Sequence, residues 1–167
     1  DLYEIVSDYF NDERGSFLGC FKLKEKTFFD LWSHRKVRQI NISSSNKIGS
    51  IRGLHYQDGA YAEAKLVRCI NGRIWDVAVD LREDSETYGL WHSIELSPKK
   101  GNAFFIPEGF AHGFQVLEKN SSLLYIHSNN WEPDFEKGII WNDDKLKINW
   151  PLKVTEISKR DQSLPKL

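Results

Sequence analysis

From about residue 38 to residue 128 the chain alternates apolar and polar residues in short runs, each closed by turn-forming residues. Arg38-Gln39-Ile40-Asn41-Ile42-Ser43 alternates in this way. A polar loop through Ser44, Ser45, Asn46, Lys47 and Gly49 follows it, and the stretch Ser50 to Gln57 comes next. Lys65 to Ile70 predicts a strand closed by Asn71-Gly72, a dipeptide suited to a tight hairpin. Arg73 to Arg82 places Trp75, Val77, Val79 and Leu81 on one face and Ile74, Asp76, Ala78 and Asp80 on the other, by the two-residue period of a strand. Asp76 between small apolar neighbours fits the wall of a cavity or a solvated face equally well. Further strands are predicted at Trp91–Leu96, Asn102–Ile106, Gly113–Glu118 and Ser122–Ser128, with turns at 98–101 and 107–109. Short strands at this spacing predict an all-β sandwich or barrel.

The flanks are less regular. Asp1 to Phe10 reads as a partial strand, Asn11 to Gly15 as a turn, and an aromatic run passes through Phe17 and Phe21. Lys22 to Trp32 is the one helix the pattern predicts, with apolar residues at Leu23, Phe28, Phe29, Leu31 and Trp32. Beyond residue 128, Asn129 to Pro133 reads as a turn, and 138–144 and 148–151 as aromatic-anchored loops. No repeat, linker or low-complexity segment divides the chain, so residues 1–167 are expected to form one domain.

Composition acts mainly by exclusion. A net charge of −1 gives no reason to expect a nucleic-acid or membrane partner. The apolar runs are too short to span a bilayer. Two cysteines, Cys20 and Cys69, fit no metal or redox spacing and read as inert core thiols of a reducing compartment, so a cytoplasmic location is expected. There is no strand–GxGxxG–helix unit for a dinucleotide and no Walker loop.

Candidate chemistry concentrates in Arg52-Gly53-Leu54-His55. A guanidinium can hold a phosphate or carboxylate bidentately, and an imidazole can take a proton near neutral pH. Together they suit an enzyme acting on an anionic small molecule. The same residues also fit a strand end with a surface Arg and a packed His. Arg14, in its turn, reads as a solvated charge or a second anion clamp. Lys65 on an inward-facing strand position is costly without a purpose, whereas a strand tyrosine such as Tyr125 often only packs. His34, His92 and His127 fall in no motif and read as surface or packing residues.

Pro107-Glu108-Gly109-Phe110-Ala111-His112 resembles the second signature of the cupin superfamily, which sets a His on a barrel strand. Metal-binding cupins pair it with an earlier HxH, where this chain reads His55-Tyr56-Gln57. With that ligand pair missing, a metal-free barrel is expected.

Taken together, Arg52 to Gln57, Lys65-Leu66-Val67-Arg68, Asp76 to Arg82, Ile106 to Phe114, Leu124-Tyr125, Ile140 to Asp143 and the terminal Lys-Arg-Asp…Pro…Leu resemble one family in order and spacing. It is the dTDP-4-dehydrorhamnose 3,5-epimerase family, and the resemblance spans nearly the whole chain. It implies a cupin-like double-stranded β-helix, or jelly-roll barrel, with a few short helices. It implies a homodimer and cofactor-free inversion of C3 and C5 of a nucleoside-diphospho-4-keto-6-deoxyhexose through enolates. His55 would be the base, oriented by Asp161; Lys65 would stabilise the enolate and Tyr125 would donate a proton from the other face. Asp76 and His112 would position the sugar. Arg14 and Arg52 would hold the diphosphate, with Gln39 and Asn41 near the nucleoside and Phe17 shaping the pocket. Trp131 would stack on the base, and Glu136 and Arg160 would supply polar contacts. Three positions depart from the family pattern, with Gly19 for a usual Glu, Ile40 for Asp and Ile126 for Lys, and they are expected nearer the nucleotide side. A mono-epimerase or related isomerase, and a catalytically silent sugar-nucleotide-binding cupin, share many of these features. Joint retention of His55, Lys65, Tyr125 and Asp161 disfavours the silent protein.

Overall fold

The computed structural model describes residues 1–32 and 34–167. In chain order its main elements are β1 (Tyr3–Val6), β2 (Tyr9–Asp12), β3 (Gly15–Leu18), α1 (Lys26–Trp32), β4 (Gln39–Ser45), β5 (Ile51–Gln57), β6 (Lys65–Asn71), β7 (Ile74–Asp80), β8 (Trp91–Leu96), β9 (Asn102–Ile106), β10 (Phe110–Val116), β11 (Ser121–His127), β12 (Glu136–Gly138) and α2 (Lys159–Gln162). One five-stranded sheet runs β1-β9-β6-β11-β4, the other β12-β5-β10-β7-β8, and β2 pairs with β3 in a separate hairpin. The pairings are antiparallel, and the two sheets face each other as a jelly-roll barrel. Among the described residues no helix is long and apolar enough to cross a membrane.

Three apolar layers hold the barrel. Inside it, Val67, Cys69, Phe104, Ile106 and Leu123 of one sheet meet Ile74, Ala78, Phe110, Phe114 and Val116 of the other. Burial pushes the Cys69 thiol up to about 11, so it stays a protonated core residue. On the outside of the first sheet, Phe28 and Trp32 of α1 cover Leu66, Phe105 and Ile126. On the outside of the second, Leu54, Val77 and Val79 are covered by Ile139, Leu146, Ile148 and Trp150. The third layer explains Trp75, Trp91 and Trp150. Trp75 meets Trp91 and Trp150 edge-on at 6.0 and 5.3 Å. The indoles of Trp91 and Trp150 donate to Leu146 O and Trp141 O, both at 2.9 Å. The aromatic-anchored loops of the tail are therefore a second skin on the barrel, each buried large side chain adding about 1.5–3 kcal/mol.

Several boundaries differ from expectation. The opening segment is two strands, because β1 joins the edge of the first sheet beside β9 while β2 turns back on β3. The helix begins at Lys26, since Glu25 N bonds Lys22 O in a turn ahead of it. Ser44 and Ser45, expected in a loop, extend β4 opposite Ser122 and Ser121. β10 starts at Phe110, earlier than the predicted Gly113, because Phe110, Ala111 and His112 pair with Asp80, Val79 and Ala78. The alternation of β7 is as predicted, but both of its faces are buried, and Asp76 is fully enclosed in the barrel.

Candidate active site

At one end of the barrel the inward positions change from apolar to polar. Lys65 precedes Val67 and Cys69 on one face of β6, Tyr125 and His127 follow Leu123 on β11, and Asp76 and His112 face each other across β7 and β10. Lys65, Tyr125, His127 and His112 line a cavity of about 510 Å³, with Asp76 buried behind His112, and its wall also takes in Asn41, Ser43, Arg52, His55, Trp131 and Glu136.

Arg52 and His55 both reach this cavity although residues three apart on a regular strand face opposite ways. The pairing with β10 gives the reason. His55 lies opposite His112 and Arg52 opposite Phe114, so three steps along β5 answer two along β10. The extra residue is a β-bulge, and it restores the two side chains to one face. Gly53 is required there. Its φ is +119°, and an added Cβ would lie 2.6 Å from Gly113 Cα and 2.7 Å from His112 O. Gly113 is closed off in turn by Arg52 O at 2.8 Å. Arg52 donates to Ser43 Oγ at 2.7 Å, which holds its guanidinium across the mouth toward β4.

Three histidine–carboxylate pairs border the cavity. His55 Nε2 lies 2.8 Å from Asp161 Oδ1. The second Asp161 oxygen accepts from Gly53 N at 3.1 Å, and Asp161 N donates to Ser158 Oγ at 3.0 Å, where Ser158 caps α2. Burial pushes the Asp161 carboxyl up, but the hydrogen bond and charge of His55 with the Gly53 N–H outweigh it and hold it below the usual carboxylate range. An ionised Asp161 accepts Nε2–H and leaves His55 Nδ1 as the basic nitrogen. His112 Nε2 lies 2.5 Å from Asp76 Oδ1, while Asp76 Oδ2 has no hydrogen-bond partner among the described residues. Here burial dominates and pushes the Asp76 carboxyl up. Tyr125 stands edge-on to His112 with ring centroids 6.0 Å apart. Burial, reinforced by the charge of Asp76, raises its phenol well above the ordinary value, so it is a neutral O–H donor. The third pair, His127 Nδ1 to Glu63 Oε2 at 2.8 Å, was not expected from the sequence.

At the rim, Glu136 accepts from Arg160 Nη2 at 2.7 Å and from the Trp131 indole at 3.0 Å. Gln39 lies beside Asn41 on the same side, 3.1 Å from Nε2 to Oδ1. Among the described residues no three His, Cys, Asp or Glu side chains converge as a metal-ligand group.

Of the expected site residues, Asp161, Asp76, Gln39 and Arg160 stand behind the lining and hydrogen-bond to His55, His112, Asn41 and Glu136, whereas two others lie away from the cavity altogether. Arg14 and Phe17 sit on the β2–β3 hairpin, where Arg14 pairs with Asp12 and Phe17 is 68% exposed. Two readings of the sequence are corrected. His127, taken for a surface or packing residue, lines the cavity because it follows Tyr125 by two on one face of β11. Ile126, expected near the nucleotide side, is buried under α1 on the opposite face of the sheet. Ile40 borders the cavity. His127 follows Tyr125 by two within β11, so the strand period alone points to it, whereas Glu63 lies ahead of the first residue of β6; neither falls in a motif.

The sequence model of the dTDP-4-dehydrorhamnose 3,5-epimerase family matches residues 1–167. A dTDP-4-dehydrorhamnose 3,5-epimerase of Salmonella typhimurium is 40% identical over 168 aligned positions, covering 100% of this chain and 91% of the relative. The crystal structure of a dTDP-4-dehydrorhamnose 3,5-epimerase from Bacillus anthracis, with TDP and PPi bound, superposes with a TM-score of 0.94 at 35% identity, covering 100% of this chain and 94% of that one. A dTDP-6-deoxy-D-glucose-3,5-epimerase from Legionella pneumophila, in complex with dTDP-4-keto-L-rhamnose, gives 0.91 at 36%, covering 99% and 87%.

Proposed function

The chain belongs to the dTDP-4-dehydrorhamnose 3,5-epimerase family, and on that premise we propose how this cavity inverts C3 and C5 of a dTDP-linked 4-keto-6-deoxyhexose. Both carbons adjoin the ketone, so each C–H can be removed if the charge arriving on the C4 oxygen is stabilised. His55 Nδ1 takes the proton, with Asp161 holding the ring by Nε2 and balancing the imidazolium. The C–H electron pair moves into the ring and on to the C4 oxygen, where the Lys65 ammonium stabilises the enolate. Tyr125, neutral because its phenol is raised, returns a proton to the opposite face and inverts the carbon. The ketone itself supplies the acidity, so the cycle needs no cofactor. His112, held by Asp76, donates to or positions the sugar from the floor. The observation that carries this reading is the opening of His55, Lys65 and Tyr125 onto one cavity.

The nucleotide end is assigned to Arg52 for the diphosphate, Gln39 and Asn41 for the nucleoside, and Trp131 for stacking on the base, with Glu136 and Arg160 at the rim. We further propose a homodimer in which the β2–β3 hairpin brings Arg14 and Phe17 to the partner's cavity. Its support is the exposed apolar surface of Phe10 and Phe17 on the hairpin and of Ile40 and Ile42 on β4, together with the outer edge of β4, which pairs with no strand among the described residues. His55→Ala is the direct test. It should lower proton exchange by about 10²–10⁴-fold while dTDP still binds, and undiminished exchange would show that another group is the base.

A further inference from the structure

A single hydrogen-bonded series along the cavity wall joins its two ends. Trp131 N–H donates to Gln39 Oε1 at 2.9 Å. A backbone N–H can only donate, so Gln39 turns Nε2 to Asn41 Oδ1, 3.1 Å away. Asn41 therefore presents Nδ2 to His127 Nε2, at 3.4 Å, the longest link. His127 then carries its proton on Nδ1, which donates to Glu63 Oε2 at 2.8 Å. The other oxygen of Glu63 pairs with Lys65 Nζ at 3.2 Å. Every donor meets an acceptor, and the direction runs without reversal from a fixed amide to a carboxylate that also holds an ammonium. The inner part is shielded from water: the side chains of Glu63, Lys65 and His127 are 7, 10 and 13% exposed. Burial pushes the Glu63 carboxyl up, yet the His127 hydrogen bond and the charge of Lys65 more than offset it, so Glu63 is ionised. The His127 ring also stacks on Tyr125, 5.7 Å between centroids and 17° from parallel.

The series starts at the residue proposed to stack on the nucleobase and ends at the ammonium proposed to face the enolate. We propose that His127 and Glu63 are positioning residues that couple the nucleotide end of the site to Lys65, an inference that rests on the epimerase reading of the cavity. A nucleotide that fixes Trp131 and Gln39 holds Asn41 and His127 in register. Glu63 then keeps the orientation that aims Lys65 into the cavity. Because such coupling is reciprocal, a change at Lys65 alters nucleotide affinity, and does so only while the links between are intact.

A double-variant cycle on dTDP binding, read by calorimetry, tests this. Lys65→Met should change the dTDP dissociation constant about fivefold or more when His127 is present. In a His127→Phe background, which keeps a ring against Tyr125 but removes both ring hydrogen bonds, the same change should have less than about a twofold effect. Equal effects of Lys65→Met in the two backgrounds would overturn the proposal. Glu63→Leu breaks the series at a second link and repeats the cycle should His127→Phe fold poorly. Wild-type turnover measured alongside separates the two claims: turnover with additive binding effects removes the coupling alone, and non-additive binding without turnover removes the epimerase reading alone.

Discussion

His55 takes its partner from 106 positions further along the chain, so neither motif is a dyad until the barrel and its tail are assembled. Asp161→Asn keeps the shape but loses the charge that balances an imidazolium. It should lower kcat by about 10²-fold or more, with the KM for the nucleotide sugar little changed, in steady-state kinetics. Tyr125→Phe separates the two faces of the reaction. Deuterium should still enter through His55, while net inversion, followed by NMR of the product sugar, falls by about 10²–10⁴-fold. At this scale the sequence was informative where a residue sat in a motif: Arg52, His55, Lys65, His112 and Tyr125 reach one cavity as expected. Glu63 and His127 lay outside every motif; the two-residue offset from Tyr125 on β11 marks His127 as inward-facing, but Glu63 precedes β6 and no strand period reaches it.

Among the elements, β5 and β10 set the site because their mismatch by one residue turns Arg52 and His55 the same way. Gly53→Ala puts a methyl against Gly113 at a positive φ. It should cost roughly 2–4 kcal/mol in urea unfolding and abolish turnover together with the bulge. Strand alternation could predict β5 but not the bulge, because an extra residue becomes visible only once its partner strand is known. β7 closes on another local network. Asp80 accepts from Arg82, Ser85 and Thr87, which outweigh burial and hold its carboxyl far below the usual range. A lowered folded pKa stabilises the fold fully above the unfolded value near about 4, and that contribution is lost as pH falls through the folded one. Urea midpoints should therefore separate wild type from Asp80→Asn most at neutral pH and converge in acid. A gap that widened below pH 4 would contradict the assignment.

For the whole molecule, the alternation of short strands predicted the barrel, and the tryptophans marked the tail that wraps it. What the hairpin does was less legible, because Arg14 and Phe17 lie away from the cavity of His55 and line a separate hollow on the hairpin itself. If they complete the partner's site, Arg14→Ala and His55→Ala should each be nearly inactive alone, and mixing them should restore activity as hybrid dimers form. A mixture no better than its parts would return the hairpin to a purely structural role. The central claim is that one cavity removes protons on both sides of one ketone. Incubating the wild-type chain with dTDP-4-keto-6-deoxyglucose in heavy water and locating the label by NMR tests it most directly. Deuterium at both C3 and C5 is the predicted result, and label at only one of them, or at neither while dTDP binds, would contradict it.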